Sequence, residues 1–229
     1  MRSTRRAASS VLFTCLVLAG CSPTSLGGSS SSSGASGGGS PAAGGAGTGA
    51  QGGSSGRAIA VGAGPQKTYT VQQQPTAGTC HYRYLKGEPL EDPKCTPGAI
   101  SPAVTQSNLK STICRKGGYT SGIRPSTSVT GREKKLNAAS YGFTGRMSDA
   151  EYDHLISLQL GGDPNDYRNL WVEPADPGHK KGSGVNNAKD PVETKLHTAV
   201  CKGTVTLAAA QKAIVTDWTT ALSVLHLGG

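Results

Sequence analysis

Tyr152-Asp153-His154-Leu155-Ile156-Ser157-Leu158-Gln159-Leu160-Gly161-Gly162-Asp163 puts an acid, a histidine and a Gly-Gly turn into one short block. Asn169-Leu170-Trp171-Val172-Glu173-Pro174 follows a few residues later. Leu155, Ile156, Leu158 and Leu160 make the first run apolar, which predicts a strand that continues past the histidine and turns at Gly161-Gly162. Asn169 to Val172 predicts a second strand, with His154 and Asn169 facing each other across the loop.

Downstream, Asp176 to Asn187 is polar and glycine-rich, hence a loop. Asp190-Pro191 then opens a helix, because an acid caps well and proline is tolerated in the first turn. Val192, Leu196 and Val200 recur at i, i+4 and i+8, one buried face, and Gly203 ends it. Thr206 caps a last helix, Leu207 to about Leu225, with Ile214, Trp218, Leu222 and Leu225 as its apolar stripe. Trp218 is expected in the core.

Upstream, the signals are weaker. Lys67 to Gln72 and Cys80 to Tyr84 alternate like short strands, and Gly87 to Gly98 is irregular because of Pro89, Pro93 and Pro97. Thr105 to Cys114 reads as a short helix and Tyr119 to Val129 as turns. Arg132 to Leu136 reads as a solvated helix face, with phosphate contact as the alternative.

The start of the chain belongs to export rather than to the fold. Arg2, Arg5 and Arg6 precede a short apolar run from Val11 to Ala19, too short to span a bilayer stably. Leu18-Ala19-Gly20-Cys21 resembles a bacterial lipobox, which implies residues 1–20 as a lipoprotein signal peptide and lipidation of Cys21. Each buried acyl CH2 contributes about 0.8 kcal/mol, so a multiply acylated cysteine holds a domain at the outer face of the cell membrane. Residues 21–65, rich in Gly, Ser and Ala, cannot bury enough apolar surface to order and form a flexible tether. About 40 such residues reach roughly 35 Å. Residues 66–229 remain for one folded domain.

The chain carries a formal net charge of +9; losing the three signal arginines leaves +6. A basic surface suits a polyanion such as nucleic acid. Beyond Cys15 and Cys21, four cysteines remain, Cys80, Cys95, Cys114 and Cys201, an even number that argues for two disulfides in an exported domain. Three pairings are open. Cys80–Cys95 as a local loop, with Cys114–Cys201 tying the front of the domain to its last helices, is the favoured one. The absence of a Cys-x-x-Cys pair argues against a zinc knuckle.

Asp153-His154, Gly161-Gly162, Asn169-Leu170-Trp171 and Asn186-Asn187-Ala188-Lys189 fall in order on a strand, loop, strand, loop, helix succession. This resembles the HNH (His-Me finger) nuclease superfamily, closest to small exported HNH-type lipoproteins of actinobacteria. The resemblance covers about residues 95–218 and extends to Lys189-Asp190, Glu193, Leu196-His197 and Val200-Cys201. Ser157 stands where the family often has proline, no histidine occupies the pattern's third position, and His179 falls earlier in the loop.

The resemblance implies an α+β fold with a small ββα-metal core, additional helices and a disulfide-stabilised N-terminal part. It implies a metal-dependent endonuclease that hydrolyses phosphodiesters of DNA or RNA. His154 would be the general base, since a neutral imidazole accepts a proton near neutral pH, and Asn169 would hold the loop. Asp153 with Asn187 or Asn186 would bind the metal. Glu193, His197 and Lys189 are further candidates, Glu193 and His197 sharing a helix face at i, i+4. Oxygen donors favour Mg2+ or Mn2+; a ligand at His197 would admit Zn2+ or Ni2+. The expected partners are nucleic acid, through backbone phosphate, and the membrane, through Cys21. The sequence points to no protein partner. The alternative is a non-catalytic envelope lipoprotein whose inactive scaffold binds an anionic polymer.

Overall fold

The computed structural model describes residues 58–182, 185 and 187–228. The signal peptide, Cys21, the tether as far as residue 57 and Asn186 lie outside the described residues. The last part of the expected tether lies inside them and is paired. Strand β1 (Ala60–Val61) runs parallel to β4 (Ala99–Ile100), and Gly64 N–H donates to Asp163 Oδ2 at 2.6 Å. The folded region therefore starts by residue 58 rather than 66.

Among the described residues the fold is mixed α and β, with three two-stranded sheets, four α-helices and two disulfides. Strands β2 (Arg83–Leu85) and β3 (Glu88–Leu90) form a hairpin; β2 overlaps the end of the strand expected over Cys80 to Tyr84, and β3 lies in the segment expected to be irregular. Strands β5 (Glu151–His154) and β6 (Leu170–Glu173) are antiparallel, with Glu151 opposite Glu173 and His154 opposite Leu170. The helices are α1 (Thr127–Ser140), α2 (Lys189–Lys202), α3 (Leu207–Asp217) and α4 (Ala221–Val224).

Several expectations need correction. β5 stops at His154, and Leu158–Leu160 is a 3-10 turn. Leu155, Ile156, Leu158 and Leu160 are all buried, so the run has no solvent face to alternate with and does not need a strand to hide it. Lys67 to Gln72 forms no strand; its backbone groups bond to side chains instead, Gln72 N–H to Glu133 Oε1 and Thr70 O to Asn165 Nδ2. The short helix expected over Thr105 to Cys114 is present as a 3-10 helix, Gln106–Ser111. The single final helix is two, because Asp217 Oδ1 takes the N–H and hydroxyl of Thr219 and ends α3 there. α1 begins at Thr127, inside the stretch read as turns.

The apolar core lies where α2, α3 and α4 meet the loop after β5. Leu196, Val200, Ile214, Trp218 and Ala221 pack with Ile156, Leu160, Val104 and Leu109. Each fully buried Leu or Ile contributes about 1.5–3 kcal/mol. Gly203 ends α2 with φ 76°, and Thr206 Oγ1 accepts from Ala209 N, as the sequence indicates. Both disulfides take the favoured pairing, Cys80–Cys95 and Cys114–Cys201. The second closes a separation of 87 residues and the first of 15. In the chain-entropy account the longer loop gives about 4.6 kcal/mol and the shorter about 3 kcal/mol.

Candidate functional site

The Gly-Gly turn builds the site. Gly161 has φ 73°, which disfavours any side chain, and a Cβ on Gly162 would stand 1.7 Å from Ile156 O. Only glycine lets the loop close this tightly. Asn169, wholly buried at the entry to β6, pins it. Its Oδ1 accepts from Ile156 N at 3.0 Å and Ala99 N at 3.4 Å, and its Nδ2 donates to Ile156 O and Asp163 O, each at 3.0 Å. The expectation that Asn169 holds the loop describes this arrangement. The imidazole of His154 is held by another group, Pro164 O, at 3.1 Å from Nε2. A carbonyl can only accept, so Nε2 carries the proton and Nδ1 the lone pair.

His154 is buried, which pushes its pKa down to about 4 against the opposing pull of Asp153. The ring is neutral at pH 7. It lines a polar pocket of about 240 Å3 together with Glu151, Asp153, Asp190, Glu193 and Arg124. A larger, mainly apolar cleft of about 560 Å3 lies near Ile59 and Val215, away from this chemistry.

Lys189, fully buried in the first turn of α2, is the hub beneath the pocket. Its Nζ donates to Asp153 Oδ2 at 2.7 Å, to His154 O at 2.9 Å and to Glu193 Oε1. Burial acts against its charge, but Asp153, Glu193 and Glu173 outweigh it and raise its pKa. Trp171 Nε1 donates to the same Asp153 oxygen at 3.3 Å, and Gln159 Nε2 to Glu193 Oε2 at 3.3 Å.

Three acids around the pocket escape sequence reading. Glu151 lies two residues before Asp153 on β5, hence on the same face. Glu173 stands directly opposite Glu151, a like-charge pair that costs stability unless something bridges it. Asp190 lies one turn before Glu193 on α2. The readable signals were the Glu-x-Asp alternation and the Asp-x-x-Glu spacing. Burial, then the charges of Asp153 and Asp190, push Glu151 up to about 7. Burial likewise raises Glu173, Glu193 and Asp190. Arg124, which also lines the pocket, was missed too; Tyr69, whose hydroxyl donates to Ile123 O at 2.6 Å, anchors the residue before it.

The remaining candidates divide. Glu193 and Lys189 join Asp153. Asn187 caps α2: its Oδ1 accepts from Lys189 N and Asp190 N, both at 3.1 Å, while its Nδ2 reaches Glu151 Oε2 and Glu173 Oε2, both at 3.2 Å. Asp190, expected as the cap, sits inside the first turn instead. His197 points elsewhere, with Nε2 2.9 Å from Ile113 O. Cys114, His197 and Cys201 form a group that could hold a metal ion, their donor atoms lying within 4.8 Å of one another. The two sulfurs are bonded to each other, so such an ion requires the reduced thiols.

No protein-family model, curated protein or solved structure matches the chain. Among the described residues, no helix is long and apolar enough to cross a membrane.

Proposed function

We propose that the protein is a divalent-metal-dependent endonuclease with an HNH-like ββα site, hydrolysing phosphodiesters of DNA or RNA. The observation that carries this is a neutral histidine, fixed through Nε2, on the wall of a pocket crowded with carboxylates and bordered by one arginine. An acidic pocket repels a phosphodiester unless a cation intervenes. The donor set fits one: Glu151, Asp153, Asp190 and Glu193 are hard oxygen donors, and Lys189 pairs with two of them, Asp153 and Glu193, from beneath. Asp153 and Glu151 would hold Mg2+ or Mn2+, which when bound supplies positive charge against the developing phosphate oxygens. His154 Nδ1 takes the proton of the attacking water, and Arg124 orients the phosphate through charge-assisted hydrogen bonds. Water oxygen bonds to phosphorus, the bond to the leaving sugar oxygen breaks, that oxygen takes up a proton from solvent water, and the proton held on His154 returns to solvent.

Lipid anchorage through Cys21 at the outer face of the membrane completes the proposal; two disulfides are in keeping with an exported domain. One observation favours the non-catalytic alternative: the Lys189 ammonium already occupies Asp153 Oδ2. Plasmid nicking separates the two. The nuclease reading requires cleavage that stops in EDTA and returns with Mg2+ or Mn2+. Binding of DNA without cleavage under any divalent cation supports the alternative.

A further inference from the structure

The long-range disulfide has a histidine against it. His197 and Cys201 lie at i and i+4 on α2, hence on one face, and Cys201 Sγ is 3.3 Å from His197 Nε2. The ligand atoms of Cys114, His197 and Cys201 all lie within 4.8 Å of one another. Around one Zn2+, sulfur at about 2.3 Å and nitrogen at about 2.0–2.1 Å from the ion stand roughly 3.5–3.8 Å from each other. The two cysteine Cα atoms are 5.6 Å apart, so side-chain rotation brings the sulfurs to that spacing once their mutual bond opens. The scaffold around them is held by other contacts. Leu196 and Val200, on either side of His197, are packed in the core, as are Leu109 and Ile113 just before Cys114. Cys114 N–H donates to Leu109 O at 2.8 Å, and His197 Nε2–H donates to Ile113 O at 2.9 Å, a second link between α2 and this segment. Cys201 is exposed, so a reductant reaches its sulfur.

We propose that reduction converts this disulfide into a Zn2+ site made by Cys114, His197 and Cys201, with the ion replacing the S–S bond as the clamp between α2 and the segment ending at Cys114. A dithiol supplies the two electrons. Its first thiolate attacks Cys201 Sγ, and Cys114 leaves as a thiolate. Its second thiolate then closes a disulfide within the reductant and releases Cys201. Binding of Zn2+ displaces one proton from each protein thiol to solvent. The imidazole stays neutral, its proton moving from Nε2 to Nδ1 as Nε2 takes the ion. Water fills the fourth position. Two thiolates balance the charge of the ion, and soft sulfur selects Zn2+ over Mg2+. The site lies at the far end of α2 from Lys189 and does not rest on the nuclease reading.

The test uses the full chain, oxidised or reduced with excess dithiol and then freed of it without oxygen, and titrated with Zn2+ alone. Two readouts are taken: ions bound per chain by equilibrium dialysis, and the folding equilibrium constant by urea denaturation. The reduced wild type binds one more Zn2+ than the oxidised chain. At a free Zn2+ concentration about 100 times Kd, its folding equilibrium constant rises roughly 100-fold. Where the reduced chain does not fold without metal, recovery of helical circular dichroism on adding Zn2+ is the same readout. Reduced His197→Ala, which keeps every thiol, loses both the additional ion and the rise. Asp153→Asn, which alters the His154 pocket, keeps both, so failure of the nuclease reading leaves this result standing. No additional Zn2+ in the reduced wild type, or equal Zn2+ binding and equal stabilisation in reduced His197→Ala, would overturn the proposal.

Discussion

The two ends of α2 lie in opposite environments. At its start, Lys189 is enclosed by Asp153, Glu193 and the His154 carbonyl, with Glu151, Glu173 and Asp190 close by. At its other end, Leu196 and Val200 pack against Ile214 and Trp218, and Cys201 is bonded to Cys114. Both ends are buried, but only one is stabilised by burial itself. Removing apolar surface from water is favourable without a specific partner. Removing charge from water is costly and is repaid only by opposite charge and hydrogen bonds in place. The acidic end gathers more carboxyl groups than Lys189 pairs with, and that surplus marks it as the site.

This contrast can be broken experimentally. Lys189→Met strands Asp153 and Glu193 in the interior and should cost about 3–5 kcal/mol of folding free energy by urea denaturation. Adding Glu193→Leu should recover part of that loss, since deleting both partners costs less than orphaning one. A single variant within about 1 kcal/mol of wild type would mean that the hub is not held by charge. At the apolar end, Ile214→Ala should cost about 2–5 kcal/mol through lost transfer energy and a cavity, and no change of a neighbouring charge should restore it. Recovery in the double variant at one end only sharpens the comparison; recovery at both removes it.

A smaller effect comes from Glu91, which is buried and paired with Arg83 at 2.9 Å. Burial, opposed by Arg83, pushes its pKa from 4.5 up to about 7. The folded state therefore binds this proton more tightly than the unfolded state. Its contribution is fully present below about pH 4.5 and is lost as pH rises through 7. Glu91→Gln should flatten the fall in stability over that window by roughly 1–3 kcal/mol. A pH–stability curve identical to wild type between pH 4.5 and 7 would contradict the buried, proton-holding state of Glu91.

The same contrast explains what could be read from the sequence. α2 and α3 are legible because Val192, Leu196, Val200 and Ile214 recur at helical spacing against polar residues. The cysteine count anticipates the disulfides. α1 is not legible, because the residues it buries include Glu133, Asn137 and Ser140, which carry no apolar period. They are held by hydrogen bonds to distant groups, Asn137 Oδ1 from Val172 N at 2.7 Å and Glu133 Oε1 from Gln72 N at 2.7 Å. Arg132 to Leu136 is accordingly more than a solvated face: Glu133 is fully buried, and Lys134 Nζ donates to Met147 O and Ala150 O. In the site, Asp153, His154 and Asn169 stand out as a motif. Glu151, Glu173 and Asp190 resemble ordinary surface acids until strand pairing and the start of α2 bring them together. Asn187 looks like a metal ligand by its position and is a helix cap by its hydrogen bonds.

The central claim is that the neutral His154, beside a carboxylate-held cation, cleaves phosphodiesters. The most direct measurement is nicking of supercoiled plasmid by the full chain and by His154→Ala, each with EDTA and with millimolar-scale Mg2+ or Mn2+, with circular dichroism confirming that both are folded. The account predicts cleavage by the wild type only with added metal, and a loss of about 100-fold or more in His154→Ala. Cleavage that persists in EDTA after dialysis, or a folded His154→Ala protein with full activity, would contradict it.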